Sequence, residues 1–305
     1  MRIEAVSLNA LDLFVVKGLF NPTLSPPYVP VCDGAGFVEQ VGSRVTAFQP
    51  GDRVASVFIP NWVDGTTPQT VDNATRPGLG GRSGQLSEYK VFQPHELVKI
   101  PINLSSIEAA TLPIAGLTAW NALRYGNLQA GDTVLLHGTG GVAIFALQFA
   151  KAQNAKVILV SGNDEKLARV RQLGADFTIN RNHPNWETVV NDYTEQKGVD
   201  LVVESIGGQN LQKSINTLRL GGHISIMGFL DGLDICMNAL SLLTKQATIK
   251  GMEVGNTKDF EGMNQAIEAN RIQPVVDKAF SFNQAQAAFE YLEQGLHFGK
   301  VVITI

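Results

Sequence analysis

Residues 133–151, T-V-L-L-H-G-T-G-G-V-A-I-F-A-L-Q-F-A-K, carry the strongest structural signal in this sequence. The run from Val134 to Leu136 is short and apolar, which is typical of a buried parallel strand. A glycine-rich turn follows at 138–141, and the apolar segment 142–149 contains no Gly or Pro and can form a helix. Strand, tight turn and helix, in this order, are the context that a dinucleotide-binding fingerprint requires.

The glycines of this turn have separate roles in such a site. Gly138 permits the sharp turn, and Gly140 lets the backbone approach a pyrophosphate at the helix N-terminus, where N–H groups and the helix dipole favour an anion. Ala143 stands where a third glycine often stands and is small enough for close packing. A glycine turn without a ligand is the alternative, but the flanking strand and helix favour a nucleotide site. The predicted contacts are Gly138, Thr139, Gly140, Gly141 and Val142.

Composition limits the classes of protein that this chain can represent. With 305 residues, 44% hydrophobic and 17% charged, the sequence predicts about two folded domains. A net charge of −4 and the lack of a basic run argue against a nucleic-acid or membrane partner. The sequence has no apolar run of about 18 residues and no signal-peptide pattern at its start. Two cysteines without a disulfide pattern suit a reducing compartment, so we expect a cytoplasmic protein.

The pattern of predicted secondary structure changes near residue 105. Before it, short β-type runs separated by turn signals predict a β-rich domain, with strands at 3–8, 36–41, 53–58, 86–92 and 97–100. The long polar segment 60–84 is typical of a functional lid or a disordered insertion. After Ser105, whose hydroxyl and the following Glu108 form a helix-start pattern, strand and helix signals alternate. This alternation predicts an α/β fold with a doubly wound parallel sheet.

Eight motifs in order resemble the medium-chain dehydrogenase/reductase superfamily, in its zinc-free quinone-oxidoreductase-like and alcohol-dehydrogenase-like branch. The resemblance covers essentially the whole chain. The motifs are A-V-S-L-N-A-L-D-L (5–13), D-G-A-G-F-V (33–38), P-G-D-R-V (50–54), A-A-T-L-P-I-A-G-L-T-A-W (109–120), H-G-T-G-G-V-A (137–143), L-G-A-D (173–176), G-G-H-I-S-I-M-G (221–228) and H-F-G-K-V-V-I (297–303).

The resemblance implies a GroES-like substrate domain at 1–105, completed by 274–305, and an NAD(P)-binding Rossmann domain at 106–273, with a cofactor cleft between them. It also implies a small-molecule substrate and a homodimer. Thr118 resembles the family threonine near the nicotinamide. Further cofactor contacts are expected at strand ends: Ile206, Gly207, Met227, Gly228 and Phe229. The chain is N-terminally short by roughly one β-hairpin relative to the family, so we expect a sheet edge or core face left uncovered.

Metal ligands are lacking at the positions that zinc-dependent relatives use. Zinc needs three N, S or O ligands and an open position. The resemblance aligns three positions of this chain with those ligands. They are Asn9, the pair Cys32-Asp33, and a position near Ile114, whose side chain cannot ligate. His137 ends the first Rossmann strand, where a packing role is expected. We therefore predict no metal.

The second strand of the Rossmann domain predicts the cofactor. An NAD site usually has an acidic residue about 20 positions after the first glycine, at the end of this strand. Ser161 stands there, followed by Gly162 and Asn163, and no carboxylate repels a phosphate. Lys166 and Arg181 follow, either as phosphate ligands or as ordinary surface charges. NADP is therefore predicted, with NAD possible.

The predicted reaction is hydride transfer between NAD(P)H and a small carbonyl, enone, quinone or alcohol, without zinc. The oxygen of a reduced carbonyl or quinone gains negative charge, which a positioned donor stabilises. Asn9 is the candidate donor, and a turn-bridging role is its alternative. Trp62 and Phe58 are expected to shape an apolar pocket. Two other functions stay open: a non-catalytic NADP(H)-binding protein, crystallin-like or redox-sensing, and a zinc-type alcohol dehydrogenase.

Overall fold

A computed structural model describes residues 1–24, 26–67 and 72–305. The chain divides into two compact units. The first, Met1–Leu117 with Val254–Ile305, is called the β-rich unit here, and the second, Thr118–Glu253, the Rossmann unit. Within the described residues no helix is both long and apolar enough to span a bilayer.

Strands and helices are numbered in chain order. The strands of the described residues are β1 (Arg2–Leu8), β2 (Asp33–Phe37), β3 (Arg53–Ser56), β4 (Leu97–Lys99), β5 (Thr133–His137), β6 (Lys156–Ser161), β7 (Phe177–Asn180), β8 (Val199–Glu204), β9 (Leu218–Ile226), β10 (Thr248–Gly251), β11 (Val276–Ser281) and β12 (Lys300–Thr304). The α-helices are α1 (Ala10–Val16), α2 (Ser106–Ala109), α3 (Leu117–Tyr125), α4 (Gly141–Ala152), α5 (Asp164–Gln172), α6 (Trp186–Tyr193), α7 (Asn210–Thr217), α8 (Ala239–Lys245), α9 (Thr257–Asn270) and α10 (Ala285–Glu293).

The Rossmann unit contains a parallel sheet in the order β10-β9-β8-β5-β6-β7. The predicted α/β alternation is therefore confirmed. Its central strands are apolar runs because helices cover both of their faces, and Leu135, Ile158 and Val202 are fully buried. The carboxyl ends of parallel strands lie at one edge of the sheet, so the turns that follow β5, β6, β8 and β9 are neighbours there.

The β-rich unit contains a sheet in the order β11-β12-β1-β2-β3-β4. β1 lies between β12 and β2 and pairs antiparallel with both. Its buried residues Ile3, Val6 and Leu8 pack with apolar side chains of β12 and α10. The C-terminal strands therefore belong to the same sheet as the N-terminal ones.

The sequence-based reading of the first 105 residues was wrong at two elements. It contained no helix after β1, but α1 begins directly after Asn9, and the Asp12 carboxylate accepts the Asn9 backbone N–H at 2.8 Å, as a helix start requires. It also contained a strand at 86–92, where the structure has only an isolated bridge between Tyr89 and Arg2. The segment is not a full strand because its first N–H groups bond elsewhere: Leu86 donates to the Pro30 carbonyl at 3.2 Å, and Ser87 to the Gln85 carbonyl at 2.8 Å.

The two compact units divide the chain after Leu117 and before Val254, and α9 lies within the β-rich unit. Thr257 donates its N–H to the Trp62 carbonyl at 3.0 Å, and Asn264 donates to the Lys99 carbonyl at 2.9 Å. These bonds attach the start and the middle of the helix to the β-rich sheet and its connections.

The segment 60–84 is mostly exposed in its described part but contains buried anchor residues; residues 68–71 lie outside the described residues. Trp62 is buried and its indole N–H donates to the Gly65 carbonyl at 3.1 Å. Arg82 forms a bidentate ion pair with Glu96, which is itself buried. Trp62 and Phe58, predicted to line a substrate pocket, are both core residues of this unit.

An apolar groove of about 560 Å³ lies beside Met1 in the β-rich unit. Val38, Phe48 and Val91 line it, and Val91 is 87% exposed.

Candidate active site

The glycine turn after β5 has the geometry of an anion site. Gly138 has φ of +79°, a conformation that favours glycine, and a Cβ placed on it would meet no atom within 4 Å. Gly140 precedes α4, whose first intrahelical bond runs from the Ile144 N–H to the Gly140 carbonyl at 3.1 Å. Helix geometry leaves the N–H groups of Gly141 and Val142 without intrahelical partners, and such groups bind phosphate well.

The turns after β8 and β9 form a ledge of packed backbone, made of residues 205–208 and 227–231. A Cβ on Gly228 would lie 1.9 Å from the Ser205 carbonyl oxygen, so only glycine fits. Gly207 has φ of +72° and would place a Cβ 2.5 Å from the Gly228 carbonyl oxygen. The Ile206 carbonyl accepts the Asp231 N–H at 2.9 Å. The ledge thus brings together the predicted contacts Ile206, Gly207, Met227, Gly228 and Phe229.

The buried side chain of Glu204 accepts hydrogen bonds from the backbone of this ledge. Its Oε1 accepts the backbone N–H groups of Ile206 at 2.8 Å and Gly207 at 3.1 Å. Its Oε2 accepts the Ser214 hydroxyl at 2.5 Å and the Asn210 amide at 2.9 Å. Glu204 and Ser214 are fully buried, so this carboxylate is stabilised by donors rather than by water.

His137 extends the same network to the glycine turn. Its Nε2 lies 3.0 Å from the Ser214 hydroxyl oxygen, and its ring packs edge-on against Trp186. Since the Ser214 hydroxyl donates to Glu204, we assign the imidazole proton to Nε2, which donates to Ser214. Burial lowers the pKa of His137 despite the neighbouring Glu204 carboxylate, so the ring is neutral. The expected packing role of His137 is therefore accompanied by a hydrogen bond.

The residues predicted to select the cofactor meet at the end of β6. Asn163 caps α5 by accepting the Lys166 N–H at 2.9 Å, and Arg181 donates its backbone N–H to the Ser161 carbonyl at 3.0 Å. The Arg181 side chain lies over Gly162, because a Cβ on that glycine would be 2.8 Å from Nε. Ser161 is buried and Arg181 is exposed. The Arg181 side chain thus lies beside a turn that has no carboxylate at its ribose position, and Lys166 is in the first turn of the helix that follows.

Strand register gathers a second group in the β-rich unit, which we call the Asn9 cluster: Asn9, Asp12, Cys32, Asp33 and Lys300. β1 ends at Leu8, which pairs with Val301 of β12, so the preceding Lys300 lies beside Asn9. On the other side Ser7 pairs with Asp33, the first residue of β2. The end of β1 therefore lies between a lysine and an aspartate.

Both ends of the Asn9 amide are held within this cluster. Lys300 Nζ donates to Asn9 Oδ1 at 2.6 Å and to the Leu8 carbonyl at 2.6 Å. Asn9 Nδ2 donates to Asp33 Oδ2 at 2.9 Å, and the same oxygen accepts the Ile114 N–H at 3.3 Å. Asn9 is half-buried, whereas the other four cluster residues are buried. Asn9 is therefore the one residue of the cluster that is partly exposed.

Burial sets the charge of the cluster. It raises the pKa of Asp33 to about 7 against the opposing effect of Lys300, and it raises the pKa of Asp12 as well. Burial, together with both carboxylates, raises the pKa of the Cys32 thiol well above its usual value. The pKa of Lys300 is lowered by burial although both carboxylates oppose the shift. Two carboxylates and one ammonium carry a formal charge of −1, so a proton on Asp33 neutralises the cluster.

Comparisons with known proteins decide the family. Residues 1–102 match the alcohol dehydrogenase GroES-like domain, and residues 141–269 match the zinc-binding dehydrogenase family. A zinc-type alcohol dehydrogenase-like protein of Schizosaccharomyces pombe is 42% identical over 100% of this chain and 90% of its own length. The chain belongs to the medium-chain dehydrogenase/reductase superfamily.

Other members of the medium-chain dehydrogenase/reductase superfamily also match over most of the chain. The quinone oxidoreductase of Pongo abelii is 28% identical over 97% of this chain and 85% of its own length. The crystal structure of an NAD-dependent alcohol dehydrogenase superposes with a TM-score of 0.87 at 32% identity, covering 100% of this chain and 90% of that one. The resemblance stated from the motifs is thus confirmed, and the protein is one of the NAD(P)-dependent oxidoreductases of this superfamily.

The Asn9 cluster does not fit the zinc that the family description implies. Zinc in proteins binds thiolate, imidazole or carboxylate groups. A structural site has four such ligands, and a catalytic site has three and an open position. The Asn9 amide offers none of these donors, and its oxygen already accepts from the Lys300 ammonium. Across residues 1–24, 26–67 and 72–305, no three His, Cys, Asp or Glu side chains are grouped as metal ligands.

The sequence missed four residues of these sites. Lys300 has a readable signal, because a lysine directly before the apolar run V-V-I of a C-terminal strand requires a buried partner. Glu204 likewise ends the apolar run L-V-V. Asp12 and Ser214 carry no such local signal. Thr118, predicted from the resemblance, is buried in α3 of the Rossmann unit.

Proposed function

We propose that this protein is a zinc-independent, NADPH-dependent reductase of small conjugated carbonyl compounds or quinones. The observation that carries this proposal is the Asn9 cluster, in which an amide fixed by an ammonium and a carboxylate stands where zinc-dependent relatives place a ligand. The relatives named as quinone oxidoreductases and alcohol dehydrogenases support the substrate class.

A nicotinamide cofactor, when bound, would supply a hydride to the substrate carbon and leave negative charge on the substrate oxygen. Asn9 donates the second N–H of Nδ2 to this oxygen. The amide is pre-oriented by Lys300 and Asp33, and a pre-oriented donor stabilises charge without reorganisation during the reaction. A proton from water then completes the reduction.

The Rossmann unit binds the cofactor through the glycine turn, the ledge and the turn at the end of β6. The pyrophosphate would be held at the N-terminus of α4. NADPH would be preferred because Arg181 lies beside the turn after Ser161, Lys166 follows in the first turn of α5, and no carboxylate opposes a 2′-phosphate. NAD(H) is the alternative, and the relative described as NAD-dependent gives it weight.

A homodimer is the proposed assembly. The Rossmann unit presents apolar side chains to solvent, among them Leu233 at 80% and Leu243 at 70% exposure, and β10 is an edge strand of its sheet. Light scattering on the purified protein measures the mass directly.

The cytoplasm is the proposed location. Cys32 and Cys236 are free thiols, which suits a reducing compartment.

A panel of quinones, enones, aldehydes and alcohols, assayed with both NADPH and NADH, tests the proposal. We expect turnover of quinones or enones with NADPH at a higher kcat/KM than with NADH. Cofactor binding without turnover of any substrate would instead indicate the non-catalytic NADP(H)-binding function. One tightly bound zinc per chain, found by elemental analysis, would indicate a zinc-type alcohol dehydrogenase.

A further inference from the structure

We propose that Lys300 and Asp33 are positioning residues that fix which end of the Asn9 amide faces the substrate. This inference rests on the proposed function, because it assigns their task through the donor role of Asn9. It explains why the structure buries two charged side chains beside a neutral amide.

The pairing of the two amide ends carries the argument. An amide has an acceptor end and a donor end of nearly equal shape, so an unrestrained Asn can rotate by half a turn at little cost. Here Lys300 can only donate, and it bonds Oδ1 at 2.6 Å. Asp33 Oδ2 accepts from Nδ2 at 2.9 Å. A rotated amide would set donor against donor at Lys300 and, wherever Asp33 is ionised, acceptor against acceptor at Asp33, so the observed orientation is favoured at both ends.

The rotated amide would also oppose catalysis. It would direct Oδ1 toward a substrate oxygen that is becoming negative, and the two oxygens would repel each other. The side that admits a substrate oxygen is therefore kept a donor by residues that do not themselves reach it, since Lys300 is 3% exposed and Asp33 is fully buried.

Backbone bonds hold the two positioning residues in turn. Lys300 Nζ donates to the Leu8 carbonyl at 2.6 Å, and Asp33 Oδ2 accepts the Ile114 N–H at 3.3 Å. Both groups are thus attached to the backbone as well as to Asn9. The orientation is a property of the sheet register rather than of one flexible side chain.

A double-mutant cycle in kcat tests the inference. The first arm is Asn9→Ala, and the second is Asp33→Asn with Lys300→Met, which removes both charges together and keeps the volumes similar. A buried ion pair replaced as a pair is often tolerated, whereas a single charge left behind is costly. The third protein combines all three substitutions. Tm and NADPH affinity are measured on each preparation.

We expect the paired substitution to lower kcat at least about tenfold, and by less than the roughly 100- to 1000-fold typical of deleting an oxyanion donor. In the Asn9→Ala background the same pair should change kcat less than about twofold, because the positioned group is gone. A structural role would lower Tm in both backgrounds without this dependence on Asn9. Glu96→Gln with Arg82→Met is the matched control: this ion pair lies outside the cluster, its carboxylate is buried and its guanidinium half-buried, and its replacement should lower Tm only.

Two results would overturn the inference while the donor role stands: an unchanged kcat in the paired variant, or an equal loss in both backgrounds. An unchanged kcat in Asn9→Ala would refute the donor role itself, and the positioning inference with it. If the paired variant fails to fold, Asp33→Asn alone, which removes one charge and keeps the shape, is compared in the two backgrounds under the same criteria.

Discussion

Asp33→Asn changes how the stability of this protein depends on pH. The pKa of Asp33 is about 7 in the folded protein because burial raises it from 3.8. The folded state therefore binds more protons than the unfolded state between these two values. Stability due to this proton is fully present below about pH 4 and is lost as pH rises through about 7. The amide of the variant does not titrate, so the variant lacks this loss.

The size of the change in unfolding free energy follows from the binding of one proton. A difference of one bound proton changes the free energy of unfolding by about 1.4 kcal/mol per pH unit. Between pH 5 and pH 7 the upper limit is therefore about 2.7 kcal/mol. Lys300 and Asp12 share the response of the cluster, so we expect roughly 1–2.7 kcal/mol of relative stabilisation of the variant over this window.

Equilibrium urea unfolding of both proteins at several pH values between 5 and 8 measures the effect. The free-energy difference between variant and wild type should shift in favour of the variant as pH rises, and then level off above about pH 7. A direct check is the carboxyl carbon resonance of Asp33, assigned by its loss in the variant, which should titrate near 7 rather than near 4. Parallel stability curves, with a constant difference at every pH, would show that Asp33 is ionised throughout and refute the charge assignment of the cluster.

Four further outcomes are expected. Gly140→Val should abolish NADPH binding by fluorescence titration with a near-normal Tm, because Gly140 has φ of −78°, which valine tolerates, whereas Gly251→Val, a control with open space around it, should bind normally. Lys166→Ala with Arg181→Ala should weaken NADPH binding on the order of 100-fold and leave NADH nearly unchanged; equal loss for both would refute phosphate recognition. Glu204→Gln should raise the Kd for NADPH about tenfold, since the ledge loses charged support; unchanged affinity would show that the network is only structural. Dialysis against a strong chelator should leave kcat unchanged, and activity restored only by zinc would contradict metal independence.

The parts of the fold that sequence could predict depend on local signals. Gly138 and the apolar run before it specify strand and turn without reference to distant residues, and the Rossmann alternation was predicted for the same reason. The helix α1 was missed because Asn9 and Asp12 form only a weak start pattern before an apolar run that also suits a strand. The prediction of a strand at 86–92 was wrong because the hydrogen bonds of this segment depend on residues that are distant in the sequence.

The Asn9 cluster lies beyond local prediction for a physical reason. Asn9 was selected by resemblance, but its orientation depends on Lys300, 291 residues away. Only the register between β1 and β12 places the two together, and a slip of one residue would turn every side chain of β12 to the opposite face. Sequence shows that a buried lysine needs partners; it does not show which ones.

Isotope transfer from the cofactor tests the central claim most directly. Chelator-dialysed protein is supplied with NADPH deuterated at nicotinamide C4, in each of the two stereochemical forms, together with the best substrate of the panel. Mass spectrometry of the product then locates the label. We predict that one form, and only that form, transfers deuterium to a substrate carbon, at the same rate before and after chelation. A product without deuterium from either form, or transfer that stops when metal is removed, would contradict zinc-independent hydride transfer.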